Sequence, residues 1–227
     1  GTVLLPNLSR LELSKDPEAF SNTIDWGLRV GVLLGLPAVA ALFFFAKPLV
    51  LTIFYRGQMT FIDVEMTALA LKAFAVGLIP LILVKVLAPA FFAKQDTRTP
   101  FRCAAVSVAV NITFSLLLIR WMGHIGIALA TSLAAYVNFF LLAISLLRNT
   151  TYEPSKDFLV AFLSALAGSA VMVLVLGWVV PNFPDWLSMS EIMRVFWVAI
   201  CLFAGSVLYL VSIWILGMRP KHFLHTA

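Results

Sequence analysis

Long apolar runs separated by short polar segments dominate the chain, and their length predicts how it folds. An α-helix needs about 20 residues to cross the hydrocarbon core of a bilayer. Six runs are long enough, at residues 28–46, 68–93, 101–119, 125–147, 158–180 and 195–217. Each run is continuously apolar, whereas the strands of a membrane β-barrel are about 10 residues long and alternate in polarity. The pattern therefore predicts an all-α polytopic membrane protein, a helical bundle with six transmembrane helices.

Prolines predict where these helices bend. The first run continues as a longer helix to Phe54 if Pro48 kinks it rather than ending it. Pro37, Pro80 and Pro89 lie inside predicted spans, where neighbouring helices can satisfy the carbonyl groups that a proline leaves unpaired. Kinks around a cavity and static packing kinks explain each of them equally well.

Small residues and one loop predict how the helices meet. Gly31 and Gly35 form a GxxxG pair, and a second stripe of small residues runs from Gly126 through residues 130 and 134, so both stripes permit close helix contact. Between the second and third runs, Thr99 is placed to cap a helix that has Pro100 in its first turn. This spacing predicts a short, tight connection between the two helices.

Composition and charge agree with a membrane protein and indicate its orientation. Hydrophobic residues make up 62% of the chain and charged residues only 12%, which is far from the soluble globular balance. Of the 16 Lys and Arg residues, ten flank one set of helix ends, four flank the other, and two lie inside a span. Because Lys and Arg are retained in the cytoplasm, both termini and the loops near 94–100 and 148–157 are predicted to be cytoplasmic.

Several classes of function are excluded by what the residues lack. The basic residues form no contiguous face or reader motif, so nucleic-acid binding is not expected. Cys103 and Cys201 lie in apolar runs without metal-ligand or redox spacing. Carboxylates lie in loops or near span ends, and His124, His222 and His225 are scattered. No catalytic group, metal site or cofactor is therefore predicted, and the chain is not expected to be an enzyme.

Two lysines lie inside the second run, and their depths differ. Lys85 is eight residues, or about 12 Å, from the predicted cytoplasmic end of its helix, beyond easy snorkelling to the interface. It is the candidate for the transport path, either contacting an anionic substrate group or changing partner during transport; a static interhelical salt bridge is the alternative. Lys72 lies near the opposite interface, and a snorkelling structural role is predicted for it.

Neutral polar residues at membrane depth are weaker candidates. Asn111 and Ser115 stand one helical turn apart in the third predicted span, and Asn138 lies in the next. Interhelical hydrogen bonds are the favoured explanation for all three. Coordination of an ion by Asn111 and Ser115 is the alternative.

Several sequence motifs together resemble those of a known family. They are residues 4–10 (LLPNLSR), 25–29 (DWGLR) leading to 36–37 (LP), 84–89 (VKVLAP) running into 91–100 (FFAKQDTRTP), and 126–132 (GIALATS). In order and spacing they resemble the MurJ (MviN) lipid II flippases of the MOP exporter superfamily. The resemblance rests on motifs as far as residue 147 and on position beyond it.

The resemblance implies a domain organisation. Residues 1–27 would be the end of a preceding helix and a cytoplasmic loop, because the first residues lack an initiator Met and the features of a signal peptide. Residues 28–147 would form a four-helix part of the C-lobe and 148–157 a cytoplasmic linker. Residues 158–217 would be an added helix pair with a groove for the lipid tail, and 218–227 a cytoplasmic tail.

The resemblance also implies a function. The expected protein moves lipid II to the periplasmic leaflet of the bacterial inner membrane by alternating access, with lipid II and membrane lipids as partners. Contact with cell-wall synthesis proteins is a further possibility. Arg29 is a second transport-path candidate, with an interfacial anchor as the alternative. Some family members place an Asn and an Asp where Asn111 and Ser115 stand, and the missing carboxylate argues against sodium coupling; membrane potential and proton coupling stay open.

Other functions fit the same helical pattern. A different MOP-type flippase or exporter, for O-antigen lipid intermediates or drugs, would share the bundle but lack the VKVLAP to DTRTP motif. A non-transporting scaffold of a cell-wall complex would have an apolar interior instead of a charged cavity.

Overall fold

The described part of the chain is helical, and its helices follow one another with short connections. The computed structural model describes residues 4–14, 16–149, 152, 155–182, 186–187 and 189–217. The helices of this part are α1 (Leu4–Ser14), α2 (Pro17–Phe44), α3 (Ala46–Phe54), α4 (Phe61–Val76), α5 (Leu78–Ala93), α6 (Arg98–Met122), α7 (His124–Asn149), α8 (Lys156–Asn182) and α9 (Glu191–Ile215).

Six helical stretches in the described residues are long and apolar enough to cross a membrane, which confirms the predicted number. They are Pro17–Phe44, Phe61–Ala93, Arg98–Met122, His124–Arg148, Asp157–Trp178 and Glu191–Ile215. The predicted tail at 218–227 lies outside the described residues, as do positions 150, 151, 153 and 154 of the predicted linker.

Two spans begin at least seven residues earlier than predicted. The helix α2 starts at Pro17 rather than at residue 28, with the Asp16 carboxylate accepting a hydrogen bond from the Ala19 N–H at 3.0 Å. Part of the segment predicted as a loop is therefore helical. The helix α4 starts at Phe61 rather than at residue 68, behind a capping box in which Thr60 and Asp63 bond each other's backbone N–H.

The first span is followed by a second helical piece, as one of the two sequence interpretations expected. The helix α2 ends at Phe44, and Phe45 separates it from α3, which ends at Phe54. The break falls at Phe45 rather than at Pro48, which lies in the first turn of α3, where its missing N–H costs no hydrogen bond.

The second span is broken at Gly77, between α4 and α5. Because Gly77 donates its N–H to Phe74, the carbonyl of Ala73 is left open, and Pro80 has no N–H for the carbonyl of residue 76. The helix α7 supplies both missing donors. The Ser132 hydroxyl donates to Ala73 O at 2.6 Å, and the Tyr136 hydroxyl donates to the carbonyl of residue 76 at 3.0 Å. Satisfaction of proline-freed carbonyls by a neighbouring helix, as predicted, thus occurs at Pro80.

A four-residue turn joins α5 to α6. Gln95 adopts a left-handed backbone with φ of 57°, and the Asp96 N–H donates to Phe91 O, which closes the end of α5. The Asp96 carboxylate then accepts from the N–H groups of Arg98 and Thr99, both at 3.0 Å. Hydrogen bonds from the Thr99 side chain and from both N–H groups hold the pKa of Asp96 below its ordinary value. The tight turn is confirmed, but Thr99 as N-cap is wrong, because the helix begins at Arg98 with Thr97 at the N-cap position, and the Asp96 carboxylate accepts the first N–H groups.

The helix α2 lies at the centre of the bundle, with different neighbours on two faces. One face carries Gly27, Gly31 and Gly35, which pack against α5 so closely that a methyl group built at Gly35 would come 2.9 Å from Ile79. The other face packs on α8 and α9. By contrast α6 lies against α7 and is the least buried of the six spans. Small residues at these contacts are common in membrane bundles, because they let backbones approach.

Candidate functional site

Lys85 lies at mid-height of α5 on a face that the described chain leaves uncovered. It is exposed, while the next residues along the helix, Val86 and Leu87, are 7% and 2% exposed in the core. Because α5 ends at Ala93, the backbone of Lys85 lies about 12 Å from the helix end at 1.5 Å per residue. A lysine at this depth is costly in lipid, which makes a hydrated path or a charged ligand beside it the hypothesis to test.

The helix that carries Lys85 is held in place by α7. Gly77 permits the closest approach, because a methyl group built there would lie 2.5 Å from the Cα of Ser132. The bonds from Ser132 and Tyr136 then fix the junction of α4 and α5. Discontinuous membrane helices of this kind lie beside the substrate sites of many transporters.

Lys72, on the α4 side of the same span, has different surroundings. It is partly buried, and its ammonium lies 5.8 Å from the ring centroid of Phe43 on α2. This cation–π contact agrees with the structural role predicted for it. The two lysines therefore form a natural pair for comparison by mutation.

Arg29 and Lys85 are not brought together. The Arg29 guanidinium is 17% exposed and lies 3.7 Å from Asp157, in the first turn of α8. Its Nε also donates to the backbone oxygen of Asp25 at 3.4 Å. Since α5 packs on the glycine face of α2 and α8 on the other, Arg29 joins α2 to α8 instead of facing the side that bears Lys85.

The weak ion-site candidates bond each other. The Ser115 hydroxyl donates to Asn111 Oδ1 at 3.3 Å, within α6 rather than between helices as predicted. An interhelical bond of this helix comes from Ser107, whose hydroxyl donates to Ala134 O at 2.7 Å. The Oδ1 of Asn138 is buried without a hydrogen-bond partner in the described part of the chain. The described residues also contain no group of three or more His, Cys, Asp or Glu placed to hold a metal ion.

A buried carboxylate connects α2 to the start of α8. It belongs to the motif at residues 25–29, but the motif did not reveal its role. Asp25 is 1% exposed and accepts hydrogen bonds from the Tyr152 hydroxyl at 2.7 Å and the Ser155 N–H at 3.1 Å. Burial first and the neighbouring Asp25 second raise the pKa of the Tyr152 phenol, so it stays a proton donor. The sequence signal for this role was the position of Asp25, only three residues before the predicted start of the first span.

A buried arginine closes the opposite end of the bundle. Arg194, in the first turn of α9, is 7% exposed. Its guanidinium donates to Met189 O at 3.2 Å and to Leu51 O in α3 at 3.5 Å, and it lies 5.3 Å from the Tyr55 ring centroid. The sequence predicted only that this arginine flanks a helix end. Its burial follows from the fold of α3 against α9.

These features define a polytopic α-helical membrane protein with a broken span and an uncovered lysine at membrane depth. The sequence model of the family described as lipid II flippase MurJ matches residues 1–197, which extends past residue 147 into α9. The chain belongs to the MurJ lipid II flippase family.

Individual relatives support the family assignment. The lipid II flippase MurJ of Burkholderia cenocepacia is 36% identical over all of this chain and 44% of its own length. A probable lipid II flippase MurJ of Vibrio cholerae is 35% identical over 97% of this chain and 42% of its own. The chain thus spans less than half the length of these relatives.

A solved structure supports the fold. A lipid II flippase MurJ in an inward closed conformation matches with a TM-score of 0.76 and 26% sequence identity. The match covers 94% of this chain and 41% of that one. The expected MurJ-like arrangement of helices is therefore confirmed.

Proposed function

We propose that the protein containing this chain moves lipid II from the cytoplasmic to the periplasmic leaflet of the bacterial inner membrane, by alternating access, for peptidoglycan synthesis. The observation that carries the proposal is the continuous family match over residues 1–197, which includes every span but the last in full. No bond is made or broken in this process, and no cofactor is implied.

The chemistry of lipid II explains why a charged, hydrated path is needed. Its diphosphate and sugars cannot enter hydrocarbon without a large desolvation cost. Lys85 supplies a positive charge on the uncovered face of α5, where it attracts the anionic headgroup. Because this chain is under half the length of its relatives, it supplies one wall of the path.

The added helix pair suits the lipid tail. Large apolar side chains point outward from α8 and α9, among them Leu174 and Phe203, which are 72% and 73% exposed. An undecaprenyl chain along this surface stays in an apolar environment while the headgroup crosses. Membrane lipids occupy the same surface in the absence of substrate, and cell-wall synthesis proteins are candidate partners outside it.

The proposed orientation places both ends of the segment in the cytoplasm. Ten of the basic residues flank helix ends on the side of the bundle where α2 begins and α5 ends, which by the positive-inside rule is the cytoplasmic side. Asp25 then lies near the cytoplasmic face and Arg194 near the periplasmic face. A cysteine-accessibility map of the loops in intact cells tests this assignment.

Complementation tests the function. The full-length protein is expressed in bacteria depleted of their own lipid II flippase, and lipid II at the periplasmic face is measured. Restoration is expected. Failure, with the protein present in the membrane, contradicts the proposal and favours another lipid-linked glycan or a scaffold role.

Two lysine variants test the site in the same assay. We expect Lys85→Ala to lower the exposure of lipid II at least tenfold, because the charge at membrane depth is lost. Lys72→Ala is the matched control on the same span and should keep most activity. Equal activity of Lys85→Ala and wild type at equal protein level would remove Lys85 from the path.

A further inference from the structure

We propose that Asp25 is a positioning residue that fixes the start of α8 to α2, so that α8 and α9 move with α2 as one rigid unit. The inference concerns the mechanics of the bundle and does not require the transported molecule to be known.

The first step is the geometry around the Asp25 carboxylate. One oxygen accepts from the Tyr152 hydroxyl at 2.7 Å and the other from the Ser155 N–H at 3.1 Å. Ser155 in turn caps α8, because its hydroxyl oxygen accepts from the Phe158 N–H at 3.3 Å. A single carboxylate inside α2 therefore binds both Tyr152 and the residue that caps α8.

Electrostatics strengthens the same connection. The N-terminus of a helix carries a partial positive charge, which favours a carboxylate placed beside it. One turn along α2, the Arg29 guanidinium lies 3.7 Å from Asp157 in the first turn of α8. Asp157 is 73% exposed, so this second contact is the weaker of the two.

Two further hydrogen-bonded contacts join the helix pair to α2 and α3 at other depths. The Tyr209 hydroxyl of α9 donates to Leu33 O of α2 at 2.6 Å, and both residues are at most 5% exposed. At the far end, Arg194 of α9 donates to Leu51 O of α3 at 3.5 Å. Leu33 lies eight residues beyond Asp25, about 12 Å along the helix axis. Contacts at separate depths prevent the pair from pivoting about any one of them.

Close packing between α8 and α9 makes the pair one body. Gly168 of α8 faces Tyr209 and Ile213, and Gly205 of α9 faces Met172 and Leu176. A methyl group built at either glycine would lie about 3 Å from these side chains, 3.1 Å at Gly168 and 3.0 Å at Gly205. A displacement of α2 is thus transmitted to both helices.

Distance measurements between spin labels test the proposal in the full-length, cysteine-free protein in lipid vesicles. One label pair at Asn22 and Leu159 reports the separation of α2 and α8 at the Asp25 end, and both positions are exposed. A second pair at Ile53 and Ile192 reports the separation of α3 and α9 at the Arg194 end. We expect one narrow distance distribution for each pair. Two distance populations for the first pair in the intact protein would overturn the proposal.

Variants test whether Asp25 causes the narrow distance distribution of the first pair. We expect Asp25→Ala to widen the distribution of the first pair at least twofold and leave the second pair unchanged. Tyr152→Phe, which removes one hydroxyl and keeps the ring, should widen it less and serves if the alanine variant does not fold. Tyr136→Phe removes a hydroxyl bonded elsewhere, on α7, and should change neither pair. An unchanged distance distribution of the first pair in Asp25→Ala would contradict the positioning role. If Asp25→Ala does not fold, the same result in folded Tyr152→Phe would contradict it.

Discussion

The two sides of the central helix pair α2 and α5 differ in how their polar groups are used. On the side of α8 and α9, Asp25, Tyr209 and Arg194 are all buried, and each is hydrogen-bonded to a residue outside its own helix. On the other side, Lys85 stands on an uncovered face of α5, and α6 is exposed over most of its surface. The first side is closed by its own contacts, whereas the second is open.

This difference shows how polar residues at membrane depth are to be interpreted. A buried group that is bonded to a neighbouring helix stabilises the bundle and has an architectural role. A charge on an open face gains no such stabilisation from the described chain, and a ligand or a hydrated path is the role that we propose for it. Depth alone therefore does not separate function from structure, but the partners of each group do.

The largest loss of stability is expected from removing the Asp25 contacts on the closed side. Asp25→Ala leaves the Tyr152 hydroxyl and the Ser155 N–H without their acceptor, and we expect a loss of about 3 kcal/mol in the free energy of unfolding. Unfolding of the purified full-length protein in mixed micelles measures it. Asp25→Asn keeps one acceptor oxygen and should lose less. Equal stability of the alanine variant and wild type would contradict the closed-side interpretation.

A smaller loss of stability is expected at the junction of α4 and α5, on the open side. Gly77→Ala places a methyl group 2.5 Å from the Cα of Ser132, and we expect the strain to cost about 1–3 kcal/mol. The junction that holds α5 would shift, and with it Lys85. Gly177→Ala is the matched control, because among the described residues nothing beyond its chain neighbours and its own helix backbone lies within 4 Å of the added methyl group. Thermal denaturation in detergent compares the two, and identical midpoints would refute the close contact.

The smallest loss of stability is expected from removing a single hydroxyl on the closed side. Tyr209→Phe removes the bond to Leu33 O, and interhelical hydrogen bonds in membrane proteins are worth about 0.6 kcal/mol on average. Denaturation in mixed micelles measures the change. The exposed hydroxyl of Ser206 bonds within its own helix, so Ser206→Ala is the control and should have no effect. A loss of several kcal/mol in Tyr209→Phe would mean that the closed side depends on this bond more than on Asp25.

The sequence predicted the spans well because the apolar runs reflect the solvent that surrounds them. It placed the start of α2 at residue 28 instead of Pro17, since Asp25 and the polar residues before it interrupt the apolar pattern. The polarity of Asp25 is matched by Tyr152 and Ser155, which are distant in sequence. Hydropathy contains no information about such partners.

The site was predictable only in part. Lys85 was singled out by its depth, but its exposure depends on which helices cover α5, which no local pattern reveals. The break at Gly77 was missed because the apolar run continues on both sides of it; the signal was a glycine three residues before Pro80. Arg29 was grouped with Lys85 by charge, and the geometry separates them because they lie on different sides of α2.

The central claim is that the face of α5 bearing Lys85 borders a hydrated path. Lys85→Cys and Leu83→Cys are compared in the full-length, otherwise cysteine-free protein, in membranes treated with a charged, water-soluble thiol reagent. Leu83 is 5% exposed on the packed side of the same helix and at nearly the same depth. We predict that position 85 reacts at least tenfold faster than position 83. Equally slow reaction at both positions would contradict a hydrated path and leave Lys85 facing lipid or another helix.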